Sequence, residues 1–139
     1  MIQANELRIG NFVFRNDLPG GMFYEIRALC KDRVHPINVI EQDVKKNVYY
    51  ASDCTLSELE PIPLTPEILE KCGFTTVTTN EDRSYNFWGK DLDASIDVDS
   101  DNLFRYRICE RKRTKTILYV HQLQNLYFSL TGTELEVNL

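Results

Sequence analysis

The chain has 139 residues, 42% hydrophobic and 11% aromatic, a composition that excludes an intrinsically disordered chain and suits one ordinary domain or two very small ones. Its formal net charge of −5 and pI of about 5.0 create no global field that would draw it to nucleic acid or an anionic membrane. No run approaches the ~18 apolar residues that span a bilayer, and Met1–Arg8 lacks the apolar core of a signal peptide, so the expectation is a soluble cytoplasmic protein.

Residues 1–64 carry 7 basic and 9 acidic side chains and residues 65–139 carry 9 and 12, so neither half is a charged tail. Cys30, Cys54, Cys72 and Cys109 are widely separated. Their even number permits disulfides, and distant thiolates can hold zinc, but no CxxC or knuckle spacing points to either. Reduced thiols packed as small hydrophobes are the expectation.

The N-terminal third reads as strands. Leu7–Phe14 is short and apolar and is broken by the turn-prone pair Gly10-Asn11. After the turn Pro19-Gly20-Gly21, the stretch Met22–Cys30 alternates with a period of two. Lys31-Asp32-Arg33 turns the chain into Val34–Ile40, and Asn47–Tyr50 is one more candidate strand. A helix over Val34–Lys46 is disfavoured by Pro36 and Asn38. Four or five short strands with polar turns predict a small antiparallel SH3-like barrel over residues 1–62.

Pro61-Ile-Pro-Leu-Thr-Pro66 marks the internal boundary, because three prolines in six residues force an extended path. Thr65 is placed to cap a helix that starts at Pro66, gains from Glu67 in its first turn, and stops at Gly73. Ile68, Leu69 and Cys72 give that helix an apolar side that needs a surface to cover. Residues 75–120 return to strand patterning, with up to four antiparallel strands and turns near Gly89-Lys90-Asp91, Ser100-Asp-Asn102 and Lys112-Arg-Thr114. A helix over Tyr119–Gly132 then lies across the sheet, and Glu134–Val137 adds an edge strand. The fold class is α+β, with a β-rich unit over 1–62 and an α+β unit over 63–139 whose antiparallel sheet is covered by two helices.

The terminal helix carries the most information. At about 100° per residue, Val120, Leu123, Leu126, Tyr127 and Leu130 share an arc of roughly 120°, and Leu123, Tyr127 and Leu130 are expected to be buried. His121, Gln124, Asn125 and Phe128 gather elsewhere, where a solvated helix more often carries Lys and Glu. A partly exposed contact surface for another protein is one reading of these four. A buried face whose amides satisfy backbone groups is the other, and the favoured one for Asn125.

Other candidates have bland explanations beside them. Asp97-Val-Asp-Ser-Asp101 begins like a calcium loop, but Asn102 and Ile108 stand where Gly and Glu are required, so an exposed strand face is expected. Arg105–Lys115 holds six basic residues in eleven: Arg105, Arg107, Arg111, Lys112, Arg113 and Lys115. Basic residues interleaved with Tyr106 suit a phosphate backbone. Asp97, Asp99 and Asp101 opposite Arg105 and Arg107 across a hairpin would instead neutralise them. His35 and His121 come with no hydrolase, zincin, phosphate-loop or dinucleotide motif. Trp88 reads as a packing residue. No catalytic residue, metal site or cofactor is expected. A non-enzymatic protein-binding or accessory module is the functional expectation, and nucleic-acid binding through Arg105–Lys115 is the alternative.

Three stretches resemble a family together: Ala4-Asn-Glu-Leu-Arg-Ile-Gly-Asn-Phe-Val13, Glu60-Pro-Ile-Pro-Leu-Thr-Pro-Glu-Ile-Leu-Glu-Lys-Cys-Gly-Phe74 and Tyr119-Val-His-Gln-Leu-Gln-Asn-Leu-Tyr-Phe-Ser-Leu-Thr-Gly132. They are similar to short uncharacterised proteins of gut-bacterial genomes, often encoded among prophage or mobile-element genes. The resemblance implies a bacterial cytoplasmic setting and a phage connection. It supplies no catalytic residues.

Overall fold

A computed structural model describes residues 2–15, 22–30, 33–38, 54–78, 83–86, 94–98, 104–108 and 115–139. The chain forms two compact units: Met1–Ile62 with Tyr119–Leu126, and Pro63–Leu118 with Tyr127–Leu139. A linear partition at residue 62 places the whole terminal helix in the second unit; its N-terminal half in fact belongs to the first.

The first unit holds β1 (Phe12–Arg15), β2 (Met22–Cys30) and β3 (Arg33–Asn38), antiparallel in that order. Alternation puts Val13, Tyr24 and Ile26 inside, where they join Ile2, Leu7, Val34, Cys54 and Leu59 in one apolar cluster. The register shifts between Ile26 and Ala28, a bulge that bends the long β2 strand. Beyond the strands, single bridges join Val34 to Cys54 and Phe14 to Glu60. Between them lies a 3-10 turn, Leu56–Glu58, whose Glu58 carboxylate accepts from the Thr55 backbone N–H at 2.6 Å. The described strands form an open three-stranded sheet, so they do not show an SH3-type barrel. Asn47–Tyr50 falls outside the described residues.

In the second unit, Thr65 Oγ1 accepts from the Ile68 N–H at 3.3 Å and caps α1 (Pro66–Lys71). Gly73 ends it at φ +86°, a left-handed conformation that a side chain would strain. Leu69 is the fully buried residue of this helix. Among the described residues five strands follow: β4 (Thr75–Thr78), β5 (Arg83–Asn86), β6 (Ala94–Val98), β7 (Phe104–Ile108) and β8 (Lys115–Ile117). They pair as an antiparallel meander in sequence order. The strand in excess of the expected four is β4, whose Thr-Thr-Val-Thr lacks apolar alternation and is ordered by pairing with β5. Ile96, Phe104 and Ile117 mark the buried side of this sheet.

The terminal helix, α2, spans Val120–Thr131. Gly132 closes it at φ +70° and donates to the Phe128 carbonyl at 2.8 Å. Glu134–Val137 is not a strand. Leu135 is buried there, and Asn138 Nδ2 donates to the Lys71 carbonyl at 3.2 Å, so a side-chain anchor takes the place of a ladder. No helix among the described residues is long and apolar enough to cross a membrane.

Candidate functional site

The chemistry of α2 begins with a turn at the other end of the chain. Asn11 N–H donates to the Arg8 carbonyl at 3.1 Å, and Gly10, the third residue of that turn, sits at φ +90°, as a type II turn demands. Asn11 Oδ1 in turn accepts from the Arg8 N–H at 2.7 Å. On one side this segment pairs with β2, through Gly10 N–H to the Ile26 carbonyl and Ile26 N–H to the Asn11 carbonyl, at 2.8 and 2.9 Å.

On the other side stand the two helix amides. Gln124 Oε1 accepts from the Phe12 N–H at 2.8 Å, and its Nε2 donates to the Gly10 carbonyl at 2.9 Å. One carboxamide thus bonds both groups flanking Asn11, as the peptide of a neighbouring strand would. Asn125 Nδ2 donates to the Glu6 carbonyl at 2.8 Å, while its Oδ1 accepts from Asn11 Nδ2 at 2.9 Å and Arg8 Nε at 3.2 Å. Leaving these backbone groups buried and unpaired would cost about 1–3 kcal/mol each. The network therefore holds the turn in one geometry.

Asn11 is fully buried, and His121 and Gln124 are each 1% exposed. The expectation of a partly exposed face for His121, Asn125 and Phe128 is corrected for His121. His121 and Gln124 are interior and Asn125 is half-buried, leaving Phe128, 38% exposed, as the residue of the group on the surface. Helical angle alone could not reveal this, because the bonding partners lie more than a hundred residues away. On the expected apolar stripe Leu123 is fully buried, whereas Tyr127 and Leu130 are only half-buried.

His121 stacks on Tyr119, ring centroids 5.7 Å apart and planes 9° apart. Neither ring nitrogen has a hydrogen-bond partner among the described residues. Burial pulls its pKa below 6.5, opposed in part by the nearby Glu6 carboxylate, and a place in the first turn of a helix also disfavours the imidazolium. It is a neutral packing ring at neutral pH. Arg15, 4% exposed, lies with its guanidinium 5.7 Å from the centre of the Tyr24 ring, a cation–π arrangement.

The basic segment divides. Arg105 pairs in register with Asp97, as a self-neutralising hairpin requires, but Arg107 pairs with Ser95 rather than an acid. Lys115 opens β8 opposite Tyr106. Arg111, Lys112, Arg113, Asp99, Asp101, Cys109 and Trp88 lie outside the described residues. His35 sits in β3 opposite Ala28. Cys54 is buried and Cys72 half-buried, both as free thiols, and burial raises the Cys72 pKa. The described residues contain no group of three or more His, Cys, Asp or Glu that would hold a metal ion.

What sequence reasoning missed is the partnership of Glu6, Arg8, Gly10, Asn11 and Phe12 with α2. The signal was present as two unexplained features, a Gly-Asn turn and an amide-rich helix face, with nothing to connect them. No family model matches the chain, and no match exists among the curated proteins or the solved structures compared with it.

Proposed function

We propose that the protein is a non-enzymatic protein-binding module that presents a braced turn to its partner. The observation that carries this reading is Ile9. It is 54% exposed at the tip of the Arg8–Asn11 turn, whose Gly10 carbonyl accepts from Gln124 and whose Arg8 and Asn11 side chains donate to Asn125. An aliphatic side chain on a turn already held in one conformation loses little entropy when a partner covers it. On this reading His121, Gln124 and Asn125 support the contact rather than make it, and Phe128, in the other unit, is a separate exposed apolar residue. The first unit is proposed as a small SH3-like barrel, supported by the bridges from Cys54 to Val34 and from Glu60 to Phe14. A cytoplasmic, bacterial and prophage-encoded setting is proposed from the resemblance of its N-terminal, central and C-terminal segments. Pull-down from a bacterial lysate with the wild type and Ile9→Asp tests the module. A specific partner lost from the variant at unchanged melting temperature supports the reading. Partners retained by both Ile9→Asp and Phe128→Ala overturn it.

A second reading, nucleic-acid binding through Arg105–Lys115, is favoured by Arg107 and Lys115 pairing with Ser95 and Tyr106 rather than with acids. Titration against DNA and RNA at two salt concentrations tests it. Phosphate contacts weaken steeply with salt, and no measurable binding at low salt removes the reading.

A further inference from the structure

A buried polar atom is ordinarily hydrogen-bonded, because burial without a partner forfeits its hydration. His121 departs from that rule twice in one ring. It is 1% exposed, and among the described residues neither Nδ1 nor Nε2 has a partner. The ring stacks on Tyr119 and lies in the field of the Glu6 carboxylate. Glu6 also joins the ring to the brace, since its carbonyl accepts from Asn125 Nδ2 at 2.8 Å. Gln124 and Asn125 follow His121 by three and four residues, so the three share one face of α2.

The turn has a second support that does not involve α2. Gly10 and Asn11 together face the single residue Ile26, through Gly10 N–H to the Ile26 carbonyl and Ile26 N–H to the Asn11 carbonyl. With Gly10 at φ +90°, this is a G1 bulge.

We propose that His121 is an acid-operated release for the Arg8–Asn11 turn. Proton uptake by its ring withdraws the first turn of α2, and the bonds made by Gln124 and Asn125 go with it. A neutral imidazole brings no charge into the site, whereas an imidazolium brings a charge and two N–H donors that need acceptors. The surrounding groups are otherwise engaged. No residue of α2 is charged, and Arg8 Nε is held by Asn125 Oδ1 at 3.2 Å. The Arg15 guanidinium lies over Tyr24, and Glu6 Oε2 accepts from the Gln3 N–H at 3.0 Å. Glu6 attracts the proton, but burial outweighs it and keeps the ring's pKa below 6.5. The braced form therefore binds the proton less readily than the released form, and falling pH favours release. The turn then keeps its β2 pairing and loses its brace. This device stands whether or not a partner covers Ile9.

Amide hydrogen exchange of the full chain, read by NMR at pH 7 and pH 5 and corrected for the intrinsic pH dependence, tests the proposal. The Phe12 N–H, which bonds Gln124, should exchange faster at the lower pH by up to about 25-fold. That is the limit for a ring that titrates at 6.5 when released and stays neutral when braced. The Ile26 N–H, bonded to the Asn11 carbonyl, should keep its protection. In His121→Leu the Phe12 rate should not depend on pH. A wild-type change at Phe12 below about twofold overturns the proposal, and so does an equal change at Ile26, which would mean that the whole unit opens. A change that survives in His121→Leu belongs to His35 or a carboxylate and overturns it as well. Should His121→Leu not fold, the His121 imidazole and Phe12 amide resonances of the wild type must titrate with one midpoint below 6.5. Separate midpoints count against the proposal equally.

Discussion

The four buried polar side chains of the described residues, Asn11, Arg15, His121 and Gln124, all belong to the first unit, whereas the buried residues of the second are apolar: Leu64, Leu69, Phe74, Ile96, Phe104, Ile117 and Leu135. The contrast follows from how each unit satisfies its backbone. In the second, the five described strands pair with their neighbours in sequence order, so the ladder is made between segments close in sequence. In the first, three strands pair among the described residues. The Arg8–Asn11 turn has β2 on one side and, among the described residues, no strand on the other, and backbone groups in and beside it bond amides 112 to 119 residues away. Local closure carries a small loop entropy, whereas the distant brace must overcome a larger one before it contributes. Helix amides thus take the place of a strand's ladder beside this turn.

Gln124→Ala is the strongest way to break that comparison. It leaves the part-buried Phe12 N–H and Gly10 carbonyl without that partner, a loss of about 2–6 kcal/mol at about 1–3 kcal/mol for each group, read by denaturant unfolding. A loss no larger than that of an exposed helix residue would mean that the amide is not a brace. Asn125→Ala should cost less, about 1–3 kcal/mol, because its site is only half-buried, and hydrogen exchange should quicken at residues 8–12.

In the second unit the corresponding single-bond test is Thr65→Ala, which removes the cap on α1. The expected loss is about 1 kcal/mol, with faster exchange at the start of α1 and none at the Arg8–Asn11 turn. Equal disturbance of the turn would erase the distinction between distant and local support.

The smallest effect at neutral pH, and the sharpest in its pH dependence, belongs to His121→Leu. An apolar ring replacement at an unpartnered polar site should be neutral or stabilising by up to about 1 kcal/mol. The folded-state pKa lies below 6.5, so the unfolded chain takes up the proton first as pH falls. Stability from the neutral ring is complete above 6.5 and is lost progressively below it. The wild type should therefore lose more melting temperature than His121→Leu between pH 7 and pH 5. Parallel curves would show that His121 does not titrate between the two states.

Much of the local structure was legible because its causes are local. Thr65, Pro66 and Gly73 bracket α1, and Gly132 ends α2, since capping and left-handed termination depend on the residues themselves. Alternation in Met22–Cys30 announces β2. The amphipathic stripe identifies Leu123 as interior. Where the cause was tertiary, reading failed: β4 has no apolar pattern and exists because β5 pairs with it, and Glu134–Val137, which alternates, is held by Leu135 and Asn138 instead of a ladder.

The amides of α2 lie at the boundary between these cases. Composition showed that His121, Gln124 and Asn125 do not belong on an ordinary solvated face, and offered burial or contact with a partner as the reasons. Only the fold chose between them for His121 and Gln124, by bringing Gly10 and Phe12 to within 2.9 Å of the Gln124 carboxamide. Hydrogen-bonding capacity is written in the residue type, but its satisfaction depends on which distant backbone groups lack a strand. That is a property of the whole arrangement, and no spacing along the chain encodes it.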